Sequence, residues 1–456
     1  MKNSPLNRRK FIKVNAVAGL GASVALSHSP THAFDIINKV NQTPAILGGN
    51  PMVDHDWPSW PIWNPETDEK RLLEVMRSGV WSRKNVTIEF EKKWAETIGS
   101  KRCLALVNGT NALNTSFANL DIGWGDEVIT TPYSFIASAQ SILFNGAIPI
   151  FVDVDPKTFQ IDPSKIEEII TDRTKAILPV HILGLPCDMD PIMKIAAKHD
   201  LRVVEDACQG WLAEYDHKKV GTFGDAGCFS FQNSKNIPIG EGGAIVSDDD
   251  EFMDRCYSYH NYGMPYGSTE RGAEPGAVLA GTKLRITEYQ CAIGLAQLER
   301  LEEQTEKRSD NARYLRNKIS EISGIVPYEL YPKVTRAAFH LFPFRYMKDD
   351  FKGLPRGKFL AALRAEGVPC SPGYTPLNKM PFLENTFNSK NFKRFYADKD
   401  LNYADYRERN ECPLNDVLCA EEAVWIPQYV LLGSKGDMDA IHASIQKIYN
   451  HAEKLK

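Results

Sequence analysis

CFSFQNSKNIPIGEGG, residues 228–243, holds an apolar run from Cys228 to Phe231 that stops at Gln232 and Asn233, followed by the glycine cluster Gly240, Gly242 and Gly243. A short apolar run bounded by such breakers reads as a buried strand followed by a tight turn. Lys235 stands just past the carboxyl end of that strand, framed by Ser230, Ser234 and Asn236. Most lysines solvate a surface, the reading given to Lys218 and Lys219 in the DHKK turn. A lysine placed behind a buried strand loses solvation, so its proton affinity falls and its amine becomes nucleophilic toward an aldehyde.

Working outward, six more strand-like runs flank this one: CLALV (103–107), DEVITT (126–131), IPIFVDV (148–154), KAILPVHI (175–182), LRVVEDA (201–207) and AIVSD (244–248). Between them SKIEEII (164–170) and DPIMKIAAKHD (190–200) carry apolar residues at helical spacing. Alternation of this kind predicts an α/β fold, a mainly parallel seven-stranded sheet covered by helices on both faces. In such sheets ligands sit at the carboxyl ends of the strands. A long helical pattern follows over 287–322, and HLFPFRYM (340–347), KFLAALRAEGV (358–368), AVWIPQY (423–429) and the closing helical stretch predict a smaller C-terminal α+β domain.

Two further features belong to the same predicted sheet. In VNGTNAL (107–113) a strand ends, Gly109 turns the chain, and Thr110 and Asn111 open a helix. Free N–H groups at a helix start hold a phosphate, although a plain helix cap has the same pattern. In VVEDACQG (203–210) Asp206 ends a β-branched run. A carboxylate there can pair with a protonated pyridine nitrogen, and a surface acid or a helix cap would look alike.

Taken together, and with TPYSFIASAQSILFNGAIPIFVDVD (131–155) between the first two, these segments resemble the DegT/StrS-type sugar aminotransferases, which are fold-type I pyridoxal phosphate enzymes. The resemblance runs from about Ile46 to the C-terminus, and its opening ILGGNPMVDHDWPSWPIW (46–63) is similar to the branch acting on keto-inositols and related aminocyclitol precursors. It implies Lys235 as the residue that holds pyridoxal 5'-phosphate, with Asp206 at its pyridine nitrogen and Gln209 beside its hydroxyl. Phe135 falls where the family stacks an aromatic ring on the pyridine, and Gly109, Thr110, Asn111 and Ser230 fall in the phosphate-binding region. Where the family commonly has GxNYRM this chain reads GTKLRI (281–286), placing Lys283 where the neighbouring subunit reaches the phosphate; an ammonium binds phosphate as a point charge. Arg285 keeps its place as a structural residue, and Gly210 and Trp211 replace a small residue and a histidine. The implied activity is amino transfer from glutamate or glutamine to a keto sugar or keto cyclitol, in a homodimer with its active site between subunits. His181, Trp60, His340 and Tyr374 are candidates for lining the substrate pocket. Two rival readings are a dehydrating or deoxygenating lyase of the same fold, and an exported binding protein that lacks catalysis.

The N-terminus differs from the rest. Arg8 and Arg9 in NRRKFIK precede VNAVAGLGASVAL (14–26) and THA (31–33), which resembles a twin-arginine export signal cleaved after Ala33. The apolar stretch is shorter than the roughly 20 residues of a bilayer span. The expected organisation is therefore a leader over 1–33, a cofactor-binding domain over 34–300 and a small domain over 301–456, with a periplasmic destination. A net charge of -4 with acids and bases interspersed offers no basic stripe for nucleic acid. Nine cysteines without a CxxC pair or metal-like spacing predict no metal site and few or no disulfides.

Overall fold

The computed structural model describes Val40 and residues 42–267, 276–396 and 401–456; the leader expected over 1–33 lies outside the described residues. Seven strands form the central sheet: β1 (Arg102–Leu106), β2 (Glu127–Thr130), β3 (Ile148–Phe151), β4 (Thr174–Leu178), β5 (Arg202–Asp206), β6 (Ala226–Ser230) and β7 (Gly243–Ser247). Their order is β1-β7-β6-β5-β4-β2-β3. β7 runs antiparallel to both β1 and β6, and the other pairings are parallel. Every residue of β2, β3, β6 and β7 is buried. Helices cover both faces, so these strands are continuous apolar runs rather than alternating ones.

Helix α1 (Asn85–Ile98) packs Phe90 and Trp94 edge-on against Phe229 and Phe231, the outward residues of β6 and its extension. On the opposite face, α2 (Gly109–Asn119) buries Ala112, Leu113 and Phe117 in the main core. The 32-residue helix α3 (Glu288–Ile319) follows, its start fixed by a capping box between Thr287 and Gln290. Position 301, where the small domain was expected to begin, lies inside this helix. Glu288 accepts backbone N–H bonds from Lys84, Val86 and Thr87, while at the far end Asn311 donates to the carbonyls of Leu431 and Gly433. One rod therefore joins both parts of the molecule.

The C-terminal part holds a three-stranded antiparallel sheet of β8 (Ile325–Pro327), β9 (Leu341–Tyr346) and β10 (Ala423–Pro427), backed by α4 (Lys435–Asn450). Between β9 and β10 the chain returns to the large sheet through short helices, including Tyr403–Arg409. There it finishes the outer edge of β3. The Phe151 N–H donates to Asn410 Oδ1 at 2.7 Å, the Pro149 carbonyl accepts from Tyr406 Oη at 2.7 Å, and Arg409 grips Glu127 with both guanidinium nitrogens. Side chains thus satisfy the outward backbone groups that a neighbouring strand would take. All nine cysteines are free thiols, and eight of them lie in or against the hydrophobic clusters.

Candidate active site

β5 delivers Asp206 to the carboxyl end of the sheet because Val203 and Val204 anchor the strand in the core. The Asp206 side chain is 5 % exposed. Its Oδ2 accepts a hydrogen bond from Ser138 Oγ at 2.7 Å, and Ser138 in turn lies 2.7 Å from Ser134 Oγ. Its Oδ1 accepts the Cys208 backbone N–H at 3.2 Å. Among the described residues no cation forms an ion pair with this buried carboxylate.

Lys235 emerges from the turn after β6, where its backbone N–H donates to the Gln232 carbonyl. Its ammonium is 5.9 Å from the centre of the Trp211 ring and has no hydrogen-bond partner among the described residues. Burial holds the Lys235 pKa below the ordinary lysine value, with the Cys208 and Asp206 charges acting in the opposite direction. A half-buried amine and a buried carboxylate, neither in an ion pair among the described residues, therefore share one electrostatic neighbourhood.

Both line a cavity of about 840 Å³ together with Gly109, Thr110, Phe135, Gln209 and Ser230. Asn108 caps α2 by accepting the Asn111 backbone N–H at 2.9 Å. This leaves the first-turn N–H groups of Gly109 and Thr110 without an intrahelical acceptor. A Cβ on Gly109 would lie 2.8 Å from both Cys208 Sγ and Ser230 Cβ, so this corner closes only around glycine. Gln209 is held rigidly: its Oε1 accepts from Leu183 N and its Nε2 donates to Tyr374 Oη at 2.9 Å. Gly184, at φ 83°, lets the backbone at Phe339 and His340 approach the Gln209 carbonyl; a Cβ there would sit 2.8 Å from all three. The C-terminal part thereby supplies the opposite wall with His340, Trp425 and Gln428.

The sequence profile of the DegT/DnrJ/EryC1/StrS aminotransferase family matches residues 64–400. The chain belongs to that family. It is a pyridoxal phosphate-dependent aminotransferase with the fold of that group. It is 31 % identical over 428 residues to the L-glutamine:2-deoxy-scyllo-inosose aminotransferase of Streptoalloteichus tenebrarius, covering 90 % of this chain and 99 % of that one. It is 39 % identical over 296 residues to GDP-perosamine synthase of Caulobacter vibrioides, covering 64 % of this chain and 77 % of the other. Among solved structures, an aminotransferase from Psychrobacter cryohalolentis superimposes with a TM-score of 0.77 at 29 % identity, over 87 % of this chain and all of that one.

The cavity fits the cofactor of this family on its own chemistry. The unpaired Asp206 carboxylate matches a ring N–H⁺, the unpaired Lys235 amine an aldehyde, and the donors of Gly109, Thr110 and Ser230 a phosphate. Trp60, His340 and Tyr374 also line the cavity. Three expected residues stand elsewhere. Asn111 is absent from the lining, because its backbone N–H and its Nδ2 both point at Asn108 Oδ1. Lys283 is exposed and pairs by a single bridge with Asn261, outside this chain's cavity. His181 is corrected from a lining residue to an interior one: it is wholly buried, with Nε2 3.0 Å from Glu205 and Nδ1 accepting the Cys187 N–H.

Ser138, Trp425 and Gln428 are site residues that sequence reading missed. Ser138 lies in the quoted TPYSFIASAQ stretch, four residues after Ser134, and that paired-serine spacing is the one signal that could have found it. Trp425 is set by Tyr133, whose hydroxyl accepts its indole N–H at 3.0 Å across 292 residues, a pairing that no local pattern encodes.

Proposed function

We propose that this enzyme moves the α-amino group of glutamine onto a keto cyclitol or a closely related keto sugar, with Lys235 as cofactor anchor and proton carrier. The observation that carries the roles is that the Lys235 amine and the Asp206 carboxylate, neither in an ion pair among the described residues, line one cavity. When bound, pyridoxal phosphate supplies an aldehyde that accepts the amino group and a ring that takes up electron density. Asp206, steadied by Ser138, keeps a proton on the ring nitrogen. Lys235 Nζ would hold the cofactor's aldehyde and, as a free amine, would carry the proton that leaves the donor carbon. Gln209, held by Tyr374, would lie beside the ring hydroxyl, and Phe135, which lines the same cavity, would cover a ring face.

The cyclitol choice is supported by the inosose aminotransferase relative, which aligns over nearly its full length, whereas the nucleotide-sugar relative aligns over a shorter span. Pairing of two subunits is supported by large exposed apolar side chains, Trp63, Trp81, Ile88 and Tyr262, and by Lys283 standing outside its own cavity. Export through the twin-arginine route rests on NRRKFIK at residues 7–13. Incubation of the purified protein with α-¹⁵N-glutamine and keto-inositols tests the reaction. An ¹⁵N-labelled amine at the former carbonyl is expected, and a deoxygenated product without the label would replace transfer by elimination.

A further inference from the structure

β10 buries Val424 and Ile426 in the main core, while Trp425 and Pro427, at the alternating positions, line the cavity that holds Lys235. Leu341 of β9, the register partner of Pro427, lines it too. Among these three side chains the single polar atom is Trp425 Nε1, and it donates to the hydroxyl of wholly buried Tyr133 at 3.0 Å. The Trp425 backbone N–H and carbonyl are both paired with Ser371, at 3.0 Å each. The indole is therefore fixed at its root and at its polar edge, and what it offers the cavity is carbon. Gln428, next along the chain, is 2 % exposed and keeps Oε1 on Arg308. The centre of the Trp425 ring lies 4.6 Å from that of Tyr374, whose hydroxyl accepts from Gln209 Nε2. This carbon wall thus begins one side chain away from Gln209.

A six-membered polyol ring with every hydroxyl equatorial has oxygen around its rim and only C–H on its faces. Against such a wall it buries carbon on carbon and keeps its hydroxyls at the rim, where water or a polar side chain can reach them. An axial hydroxyl on the wall side would press an O–H onto carbon with no polar atom of these three side chains to meet it. A hydroxyl buried without a partner is costly.

We propose that Leu341, Trp425 and Pro427 take one C–H face of the keto ring, and that Trp425 is a specificity-determining residue that selects against an axial hydroxyl on that face. This rests on the keto-cyclitol reading of the cavity.

The test measures kcat/KM, in the loaded enzyme, for a keto-inositol whose hydroxyls are all equatorial and for two epimers. One epimer has its axial hydroxyl on the carbon opposite the ketone and the other on the neighbouring carbon, where the axial bond points to the other face. Turning a ring over would present Lys235 with the other side of the carbonyl, so rates are taken to the amine of one configuration. At least one epimer should fall about tenfold or more below the equatorial compound in the unaltered protein. Trp425→Ala, which opens room for the hydroxyl and a water, and Trp425→His, which fills the space but offers a polar partner, should bring that ratio to within about threefold. Trp425→Phe keeps an aromatic face and should keep most of the ratio, so the His and Phe variants decide the matter even if the Ala variant does not fold. Equal rates for the three ketones in the unaltered protein, a ratio that survives Trp425→His, or one lost in Trp425→Phe overturns the wall. If no keto-inositol is aminated at all, the cyclitol reading itself fails and the wall falls with it; amination without selection overturns the wall alone.

Discussion

Ser138 Oγ donates to Asp206 Oδ2 at 2.7 Å, fixing the carboxylate that closes β5 by a hydroxyl on the second residue of the helix Ala137–Phe144. This bond orients an acid that pairs with no cation among the described residues. Asp206→Asn should lower kcat at least about a hundredfold, equivalent to ~2.7 kcal/mol in the barrier. Ser138→Ala, which removes one bond to a charged acceptor worth roughly 1.5–3 kcal/mol, should cost about tenfold. Steady-state kinetics on both variants, with absorbance confirming cofactor occupancy, checks the ranking; an effect of Ser138→Ala larger than that of Asp206→Asn would contradict it.

Lys235→Met should abolish transfer, and borohydride should lock the cofactor onto Lys235 in the unaltered protein only. The same change should stabilise the cofactor-free protein. The Lys235 pKa lies below the ordinary 10.5, so the unfolded chain binds the extra proton between the folded value and 10.5. The penalty is full below the folded pKa and vanishes as pH rises past 10.5. Calorimetry should therefore find Lys235→Met melting higher than the parent at neutral pH, with the gap closing in alkaline buffer.

Gly109→Ala should weaken the cofactor about tenfold or more, because its Cβ would meet Cys208 Sγ and Ser230 Cβ at 2.8 Å. Adding Cys208→Ala removes one of the two obstructions and should restore part of the affinity. Absorbance titration of the cofactor-free variants reads both effects, and equal affinity in Gly109→Ala and the parent would show that this corner is not used.

Mixing subunits tests the position of Lys283. If it serves the partner's cavity, neither Lys235→Ala nor Lys283→Ala alone should be fully active, while an unfolded and refolded equal mixture should regain about a quarter of the parent's sites. No gain above the sum of the separate variants would place Lys283 outside the site.

The seven strands, Lys235, Asp206 and Gly109 were legible because each depends on neighbours a few residues away: an apolar run, a glycine, and a polar residue at the point where the run stops. The opposite wall was not. Gln428 is held in place by Arg308, 120 residues earlier in the chain, and Trp425 by Tyr133. His181 shows the converse error. It was a candidate for lining the pocket, but Glu205 and the Cys187 N–H draw the ring inward, and Glu205 also accepts the N–H groups of Gly221, Phe223 and Gly224.

The side-chain finish on β3 reaches beyond stability. Asn410 and Tyr406 occupy the docking positions through which one sheet would recruit another, and Pro149 brings no N–H of its own to that border. A shortened chain lacking 376–417 should bare that border and self-associate, so a stretch outside the cavity lining keeps the sheet from pairing with a second copy.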